Sequence, residues 1–171
     1  LLQINMRFPM QLYNKKMQTP VGLLTLVACD QALVAVLWDN DDATRVKLSE
    51  SYEQEKHPLL IEAEKQLAEY FAGQRTQFTI PLNFHGTAFP KSIWSALLQI
   101  PLGETRSYKQ IAESIGNVKA VRAVGTAIGK NPISIIVPCH RVIGTNGKLV
   151  GFAGGLKNKD ILLNLESQYM L

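Results

Sequence analysis

The sequence predicts an α+β fold in two halves, a sheet-and-helix domain over residues 1–85 and a mainly helical domain with a β-hairpin over residues 86–171. Three observations predict it. Two β-rich apolar runs lie between Leu23 and Trp38, strand-like patterning gives way to helical periodicity past His85-Gly86, and two short helical stretches flank Gly116. With 171 residues and an apolar fraction of 46%, the chain is long enough to bury one generous core or two small ones.

In the first half, Leu23 to Cys29 and Ala32 to Trp38 are separated by Asp30-Gln31 and bracketed by Val21-Gly22 and Asn40-Asp41-Asp42, the pattern of a hairpin. Leu59, Leu60, Ala63, Leu67, Tyr70 and Phe71 recur at helical spacing. Pro58 suits the first turn of that helix and Gly73 its C-terminal end. Thr76 to Leu82 reads as a further strand that closes the domain near residue 85.

In the second half, Phe89, Ile93, Trp94, Leu97 and Leu98 make residues 88–100 an amphipathic helix ended by Pro101 and Gly103. Ser107 and Gln110 form a capping box for a two-turn helix from Tyr108 to Ile115. Gly116 supplies a turn, and Lys119 to Gly129 forms a helix stopped by Asn131-Pro132. Helix, glycine turn, helix is the helix-turn-helix layout, which also occurs in domains that never meet DNA. Ile133 to Val137 reads as a buried strand. Thr145-Asn146-Gly147, between Arg141-Val-Ile-Gly and Leu149-Val-Gly, predicts a hairpin placed as the wing of a winged helix. A last helix runs from Lys157 to Leu165, after Gly154-Gly155.

The charge is uneven. Residues 1–85 carry 8 Lys+Arg and 10 Asp+Glu, a net −2, while the remainder carries 10 and 4, a net +6. A basic C-terminal half suits an acidic partner such as nucleic acid, or is simply a solvated face. The second helix of the pair, Ala120 to Gly129, is built of small residues with Arg122 as its long cation, which permits close approach to a groove. It lacks the Asn, Gln and repeated Arg side chains with which a sequence-specific repressor reads base edges.

The longest apolar stretch, Leu23 to Trp38, is interrupted by Asp30 and Gln31 and falls short of a spanning helix. Leu1 to Met10 lack the basic and apolar regions of a secretory signal. Cys29 and Cys139 stand alone, without the spacing of a disulfide framework or a zinc knuckle. A soluble, cytoplasmic protein with reduced thiols is expected.

Pro138-Cys139-His140-Arg141-Val142 is the most unusual string, a thiol beside an imidazole and a guanidinium. Such neighbours lower a thiol pKa and activate the thiolate. In extended chain, however, adjacent side chains point to opposite faces, so contact between Cys139 and His140 needs a turn or a bridging water. Local chemistry leaves open an activated cysteine, as in a cysteine hydrolase, or a packed thiol beside a surface histidine.

The segment Asn131-Pro-Ile-Ser-Ile-Ile-Val-Pro-Cys-His-Arg-Val-Ile-Gly resembles the active-site segment of the O6-alkylguanine-DNA alkyltransferases, the methylated-DNA-protein-cysteine methyltransferases. The resemblance extends through Gly103-Glu-Thr-Arg-Ser-Tyr108, Arg122-Ala-Val-Gly125 and Gly151-Phe-Ala-Gly-Gly155 to Glu166. It covers residues 86–166 in order, and the first half matches in outline as the ribonuclease-H-like domain of that family.

The resemblance implies direct-reversal DNA repair: an alkyl group passes from O6 of guanine, and from O4 of thymine, irreversibly to Cys139, one event per molecule. Cys139 would be the acceptor, His140 its base through a water, Glu166 the partner that orients the imidazole, and Asn131 the brace of the turn. Tyr108 would donate a hydrogen bond to the leaving base. Tyr108, Val142, Phe152 and Ala153 would line the guanine pocket, with backbone groups of Cys139, Val142 and Ala153 on the base edge. Lys119, Ala120, Ala123, Gly125 and Thr126 would meet double-stranded DNA through the minor groove, and Arg122 would replace the extruded nucleotide.

No cofactor, no metal, no membrane partner and a monomeric state complete the expectation. Phe152 and Ala153 depart from the Tyr and Ser of many relatives, which removes a hydroxyl from the O6 side of the pocket. Cys29 and His85 alone cannot make a tetrahedral zinc site. A lesion-flagging module without chemistry would lack the reactive cysteine.

Overall fold

The computed structural model describes residues 2–4, 10–147 and 151–169. The chain forms two compact units, one ending at His85 and the other beginning at Gly86.

The first unit is a four-stranded sheet with one helix. Strands β1 (Leu12–Thr19), β2 (Gly22–Ala28), β3 (Leu33–Trp38) and β4 (Ser51–Glu53) lie in the order β3-β2-β1-β4. The β1/β2 and β2/β3 pairs are antiparallel, and β4 runs parallel to β1. The expected hairpin is β2/β3, with Leu24 opposite Trp38 and a bulge at Val27/Ala28.

Two strands carried no readable pattern. In β1, Leu12 and Met17 are the buried residues of a strand otherwise holding Asn14, Lys15 and Lys16, and β4 has only three residues. The β1/β2 turn is closed by Thr19 Oγ1, which accepts from Val21 N at 3.1 Å and donates to Gly22 O at 2.7 Å. Gly22, at φ +93°, supplies the left-handed residue that this turn requires. Leu12, Val27, Cys29, Ala32, Val34 and Ala35 form a core cluster, so Cys29, 1% exposed, is packed as an apolar side chain.

Helix α1 (Pro58–Phe71) runs as the periodicity predicts and buries Leu60, Ala63, Gln66, Leu67 and Tyr70. Its N-cap is His57, whose Nδ1 accepts from Leu59 N at 3.2 Å. The strand expected over Thr76 to Leu82 does not form among the described residues, where that stretch is irregular and contributes the isolated bridges of Leu82 to Gln3 and Leu33. Two local causes are visible. The Thr79 amide donates to the Gln66 side chain at 2.9 Å instead of a neighbouring strand, and Pro81 has no amide hydrogen to give.

The second unit contains α2 (Ala88–Leu97), β5 (Arg106–Ser107), α3 (Tyr108–Ser114), a 3-10 turn at Val118–Ala120, α4 (Val121–Gly129), a second 3-10 turn at Cys139–Arg141, β6 (Val142–Ile143) and α5 (Leu156–Tyr169). The capping box is present: Ser107 Oγ accepts from Gln110 N at 3.0 Å, and Gln110 Oε1 accepts from Ser107 N at 2.8 Å. Gly116, at φ +76°, turns the chain between α3 and the 3-10 entry to α4. Trp94 Nε1 donates to Ala127 O at 2.9 Å, pinning α2 to α4. Val124, Ala127 and Ile128 form the inward face of α4.

One expected element is corrected here. Ile133 to Val137 is a tight turn, with an isolated Ser134–Val137 bridge, and not a strand. Val142 and Ile143 pair in parallel with Arg106 and Ser107. The Asn146-Gly147 position is a turn closed by Gly147 N to Gly144 O at 2.9 Å, and the return arm expected at Leu149 and Val150 lies outside the described residues. The last helix spans Leu156–Tyr169, beyond the expected Lys157 to Leu165 at both ends.

Replacing Ser107 by Ala removes one half of a reciprocal cap. Urea denaturation should report a loss of about 1 kcal/mol, within the range typical of N-cap deletions. A change indistinguishable from zero would mean that water replaces the hydroxyl without cost.

Candidate active site

The site begins at a turn that the sequence disguises as a strand. Asn131 is fully buried and spans the turn: its Nδ2 donates to Val137 O at 2.9 Å, and its Oδ1 accepts from Ile133 N at 3.0 Å. Inside the loop so closed, Ile136 N donates to Ser134 O at 2.9 Å and Val137 N to Ile133 O at 2.9 Å. Ile135 is thereby held at φ +74°, the left-handed region that a β-branched residue rarely occupies. Pro138 follows at φ −81°, ψ 62°, an inverse γ-turn closed by Cys139 N to Val137 O at 2.8 Å.

These two bends break the extended geometry that would have separated neighbouring side chains, and deliver Cys139, His140 and Arg141 on a single 3-10 turn. All three are buried, Cys139 at 6% exposure, His140 at 0% and Arg141 at 7%.

Helix α5 supplies the opposing groups. His140 Nε2 meets Glu166 Oε2 at 2.6 Å. An ionised carboxylate only accepts, so Nε2 carries the proton and Nδ1 is left with its lone pair. Nδ1 is buried and has no protein hydrogen-bond partner. Arg141 also binds Glu166, with Nε to Oε1 at 2.7 Å and Nη2 to Oε2 at 3.1 Å. Burial by itself pushes the Glu166 carboxyl up, but the His140 and Arg141 interactions outweigh it and hold the pKa at about 2. His140 is shifted below 6.5, chiefly because burial penalises the charged ring, with Arg141 and Lys159 adding repulsion against the attraction of Glu166. The resting pair is a neutral imidazole on an ionised carboxylate.

Sequence reasoning missed Lys159. It is fully buried on α5, and its Nζ donates to Val142 O at 2.6 Å and stands 6.0 Å from the Phe152 ring centroid. Burial shifts it below 10.5, while the charge on Cys139 acts in the opposite direction. A lysine one turn into a surface-patterned helix gives no sign of burial from sequence; only its helical spacing to Glu166 on one face would have hinted at it.

Tyr108 opens α3 and is half-buried. Burial, then the Cys139 charge, raises its pKa above 10.0, so it is a donor at neutral pH. A Cβ at Gly125 of α4 would touch the Tyr108 ring at 3.7 Å, so this glycine lets the helix lie against the tyrosine.

The outer face of α4 and its entry expose Lys119, Arg122, Ala123 and Thr126, with Ala120 and Gly125 half-buried. Val118 and Val121 are also exposed there. Phe152 is half-buried and Ala153 exposed, ahead of α5, and Val142 is buried. A separate cavity of about 270 Å³ beside β5 and β6 is lined by Arg106, Gln110, Ile143 and Thr145 among others, but not by Cys139 or His140. Among the described residues no group of three or more His, Cys, Asp or Glu could hold a metal ion, and no helix is long and apolar enough to cross a membrane.

Two family models match the chain. Residues 12–84 match the ribonuclease-like domain of 6-O-methylguanine DNA methyltransferase, and residues 88–168 match its DNA binding domain. The chain belongs to the 6-O-methylguanine DNA methyltransferase family. Family relatives include the methylated-DNA–protein-cysteine methyltransferase of Methanosarcina acetivorans, 46% identical over 155 residues that cover 91% of this chain and 98% of the relative. The constitutive enzyme of Bacillus subtilis is 43% identical over 156 residues, covering 90% and 94%. The crystal structure of Mycobacterium tuberculosis OGT in complex with DNA superposes with a TM-score of 0.84 at 42% identity, covering 92% of this chain and 94% of that one. Its two domains are thus those of the family, a ribonuclease-like unit followed by a DNA-binding unit.

The charge states of the pair predict an acid-sensitive fold. His140 sits below 6.5 and Glu166 below 4.5, so in both cases the unfolded chain binds more protons. Their contribution to stability is complete above about pH 6.5 and is lost as pH falls, through His140 first and then through Glu166 toward about 2. Urea midpoints measured from pH 8 to pH 3 should decline below about pH 6.5. Glu166→Gln should be less stable at neutral pH with a shallower acid decline; a variant profile parallel to the parent's would contradict the assignment.

Proposed function

We propose that this family member repairs DNA by direct reversal, taking the alkyl group from O6 of guanine onto Cys139 in a reaction that each molecule performs once. The observation that carries the reading is the burial of Cys139 and His140 on one turn, with His140 Nε2 bound to the buried Glu166 carboxylate and Nδ1 left without a hydrogen bond. The names of the relatives, methylated-DNA–protein-cysteine methyltransferases, agree with that chemistry.

In this reading a water links the Cys139 thiol to His140 Nδ1 and carries the proton across, while Glu166 stabilises the imidazolium that results. The thiolate attacks the alkyl carbon, the S–C bond forms as the C–O6 bond breaks, and the electron pair leaves on the guanine. Tyr108 donates a hydrogen bond to the base as that charge develops. The product is a thioether, which no group in the site can hydrolyse. Backbone groups of Cys139, Val142 and Ala153 meet the guanine edge, and Phe152 and Ala153 leave the O6 side without a side-chain hydroxyl. O4-alkylthymine is a second substrate of the same chemistry. Asn131 acts at one remove, by holding the turn on which the thiol sits.

The helix pair α3 and α4 is read as a helix-turn-helix and the loop beyond β6 as its wing. Lys119 and Ala120 in the 3-10 entry and Ala123, Gly125 and Thr126 on α4 meet the minor groove, and small residues there allow the approach. Arg122 fills the gap left by the extruded nucleotide. The protein acts as a monomer on double-stranded DNA, and its two free cysteines suit a reducing cytoplasm.

Incubation with duplex DNA containing O6-methylguanine, followed by peptide mass analysis, should find one methyl group on Cys139 and none in Cys139→Ser. An unmodified Cys139 after full exposure would overturn the reading, and repeated turnover would favour a hydrolase. Arg122→Ala should slow transfer from duplex DNA by roughly ten- to thirtyfold, equivalent to about 1.4–2 kcal/mol, with a smaller effect on single-stranded substrate. Equal slowing on both would remove Arg122 from the extrusion step.

A further inference from the structure

The alkyl-transfer reading employs Cys139, His140 and Glu166 and gives Arg141 no task. Yet Arg141 is 7% exposed, and its guanidinium reaches Glu166 through Nε and Nη2 and the Ile100 carbonyl through Nη1, at 2.7 Å. Fold stability alone is a weak reason for such a group, since buried ion pairs are commonly replaceable by apolar side chains of similar volume. The geometry is more specific than that. Glu166 Oε2 accepts from both His140 Nε2 and Arg141 Nη2, so one carboxylate oxygen is shared between the imidazole and a permanent cation.

We propose that Arg141 is a positioning residue for alkyl transfer: its guanidinium fork fixes the Glu166 carboxylate and shares its charge, so that His140 stays neutral with Nδ1 available to receive the Cys139 proton. The proposal rests on the alkyl-transfer reading. An undivided carboxylate at hydrogen-bond distance draws a proton onto an imidazole, and a base already protonated cannot accept the thiol's. The groups facing His140 act in both directions. Glu166 on α5 favours the imidazolium, while Arg141 on its own turn and Lys159 on α5 oppose it, as does burial. The tie to Ile100 O anchors the fork near the end of α2, so the carboxylate is held from a second element. Lysine would retain the charge but not the planar pair of donors.

Two readouts test this. The chain has three histidines, so in a His57→Gln/His85→Gln background the His140 imidazole can be followed alone by NMR as pH is varied. In Arg141→Met its titration should move up by about one unit or more, and the alkaline-rising limb of the methyl-transfer rate should move with it. Transfer at neutral pH should fall on the order of tenfold or more.

Arg141→Lys should keep the His140 titration near the parent's and still transfer more slowly, because the fork is gone. Superimposable His140 titrations in Arg141→Met and parent would overturn the proposal, as would an upward shift in Arg141→Lys equal to that in Arg141→Met. Should the Met variant fail to fold by circular dichroism, the Lys variant decides: parental transfer rates refute the fork, and slowed transfer with an unmoved titration supports it. The NMR titration needs no DNA, so it stands or falls separately from methyl transfer by the parent.

Discussion

Glu166 is the charge on which the rest of the second unit is arranged. Burial works against its ionisation, and it remains a carboxylate because His140 and Arg141 converge on its two oxygens. To reach them, α5 must turn an unusual face inward, with Lys159, Leu162 and Glu166 spaced along one side of the helix. Without the carboxylate, the buried Arg141 guanidinium would lose the acceptor that binds both Nε and Nη2, and leaving a buried charge without its partner costs several kcal/mol. The same group therefore fixes the helix, the imidazole tautomer and the balance of charge around the thiol.

The second constraint is backbone geometry. A cysteine followed by a histidine in a strand cannot act together, because their side chains diverge. The chain resolves this with two successive tight bends, one forcing Ile135 to φ +74° and one using the restricted φ of Pro138. Strain of this kind persists only where the surroundings over-determine it, and here Asn131 ties both ends of the loop while the Ile133, Ile135, Ile136 and Val137 side chains are buried around it. The local structure least natural to the sequence is the structure that presents the thiol.

What could be read from the sequence follows from which physical signals are periodic. The β2/β3 hairpin, α1, α2 and the capped α3 announce themselves through apolar spacing and cap chemistry. Strand β1 does not, because its buried positions are few and its remaining residues polar. The ends of helix α5 are poorly marked, since two of its three buried residues are Lys159 and Glu166 and no apolar stripe marks the face. Ile133 to Val137 looked like a strand because every residue in it is apolar or small and buried, and burial alone does not distinguish a strand from a tightly braced turn. Cys139, His140 and Glu166 are singled out in the sequence by resemblance to a family, and the structure buries all three. The contacts of Arg141 and the burial of Lys159 depend on packing between distant segments and left no local trace.

One consequence of the site's burial concerns selectivity. Cys139 is only 6% exposed. Oxidants and small electrophiles in bulk solution meet a nearly closed surface, whereas in the proposed reaction an extruded base would be carried to the sulfur by the energy of its own contacts. If Cys139 is consumed at first use, as proposed, the enclosure around this sulfur acts as a filter against wasteful side reactions.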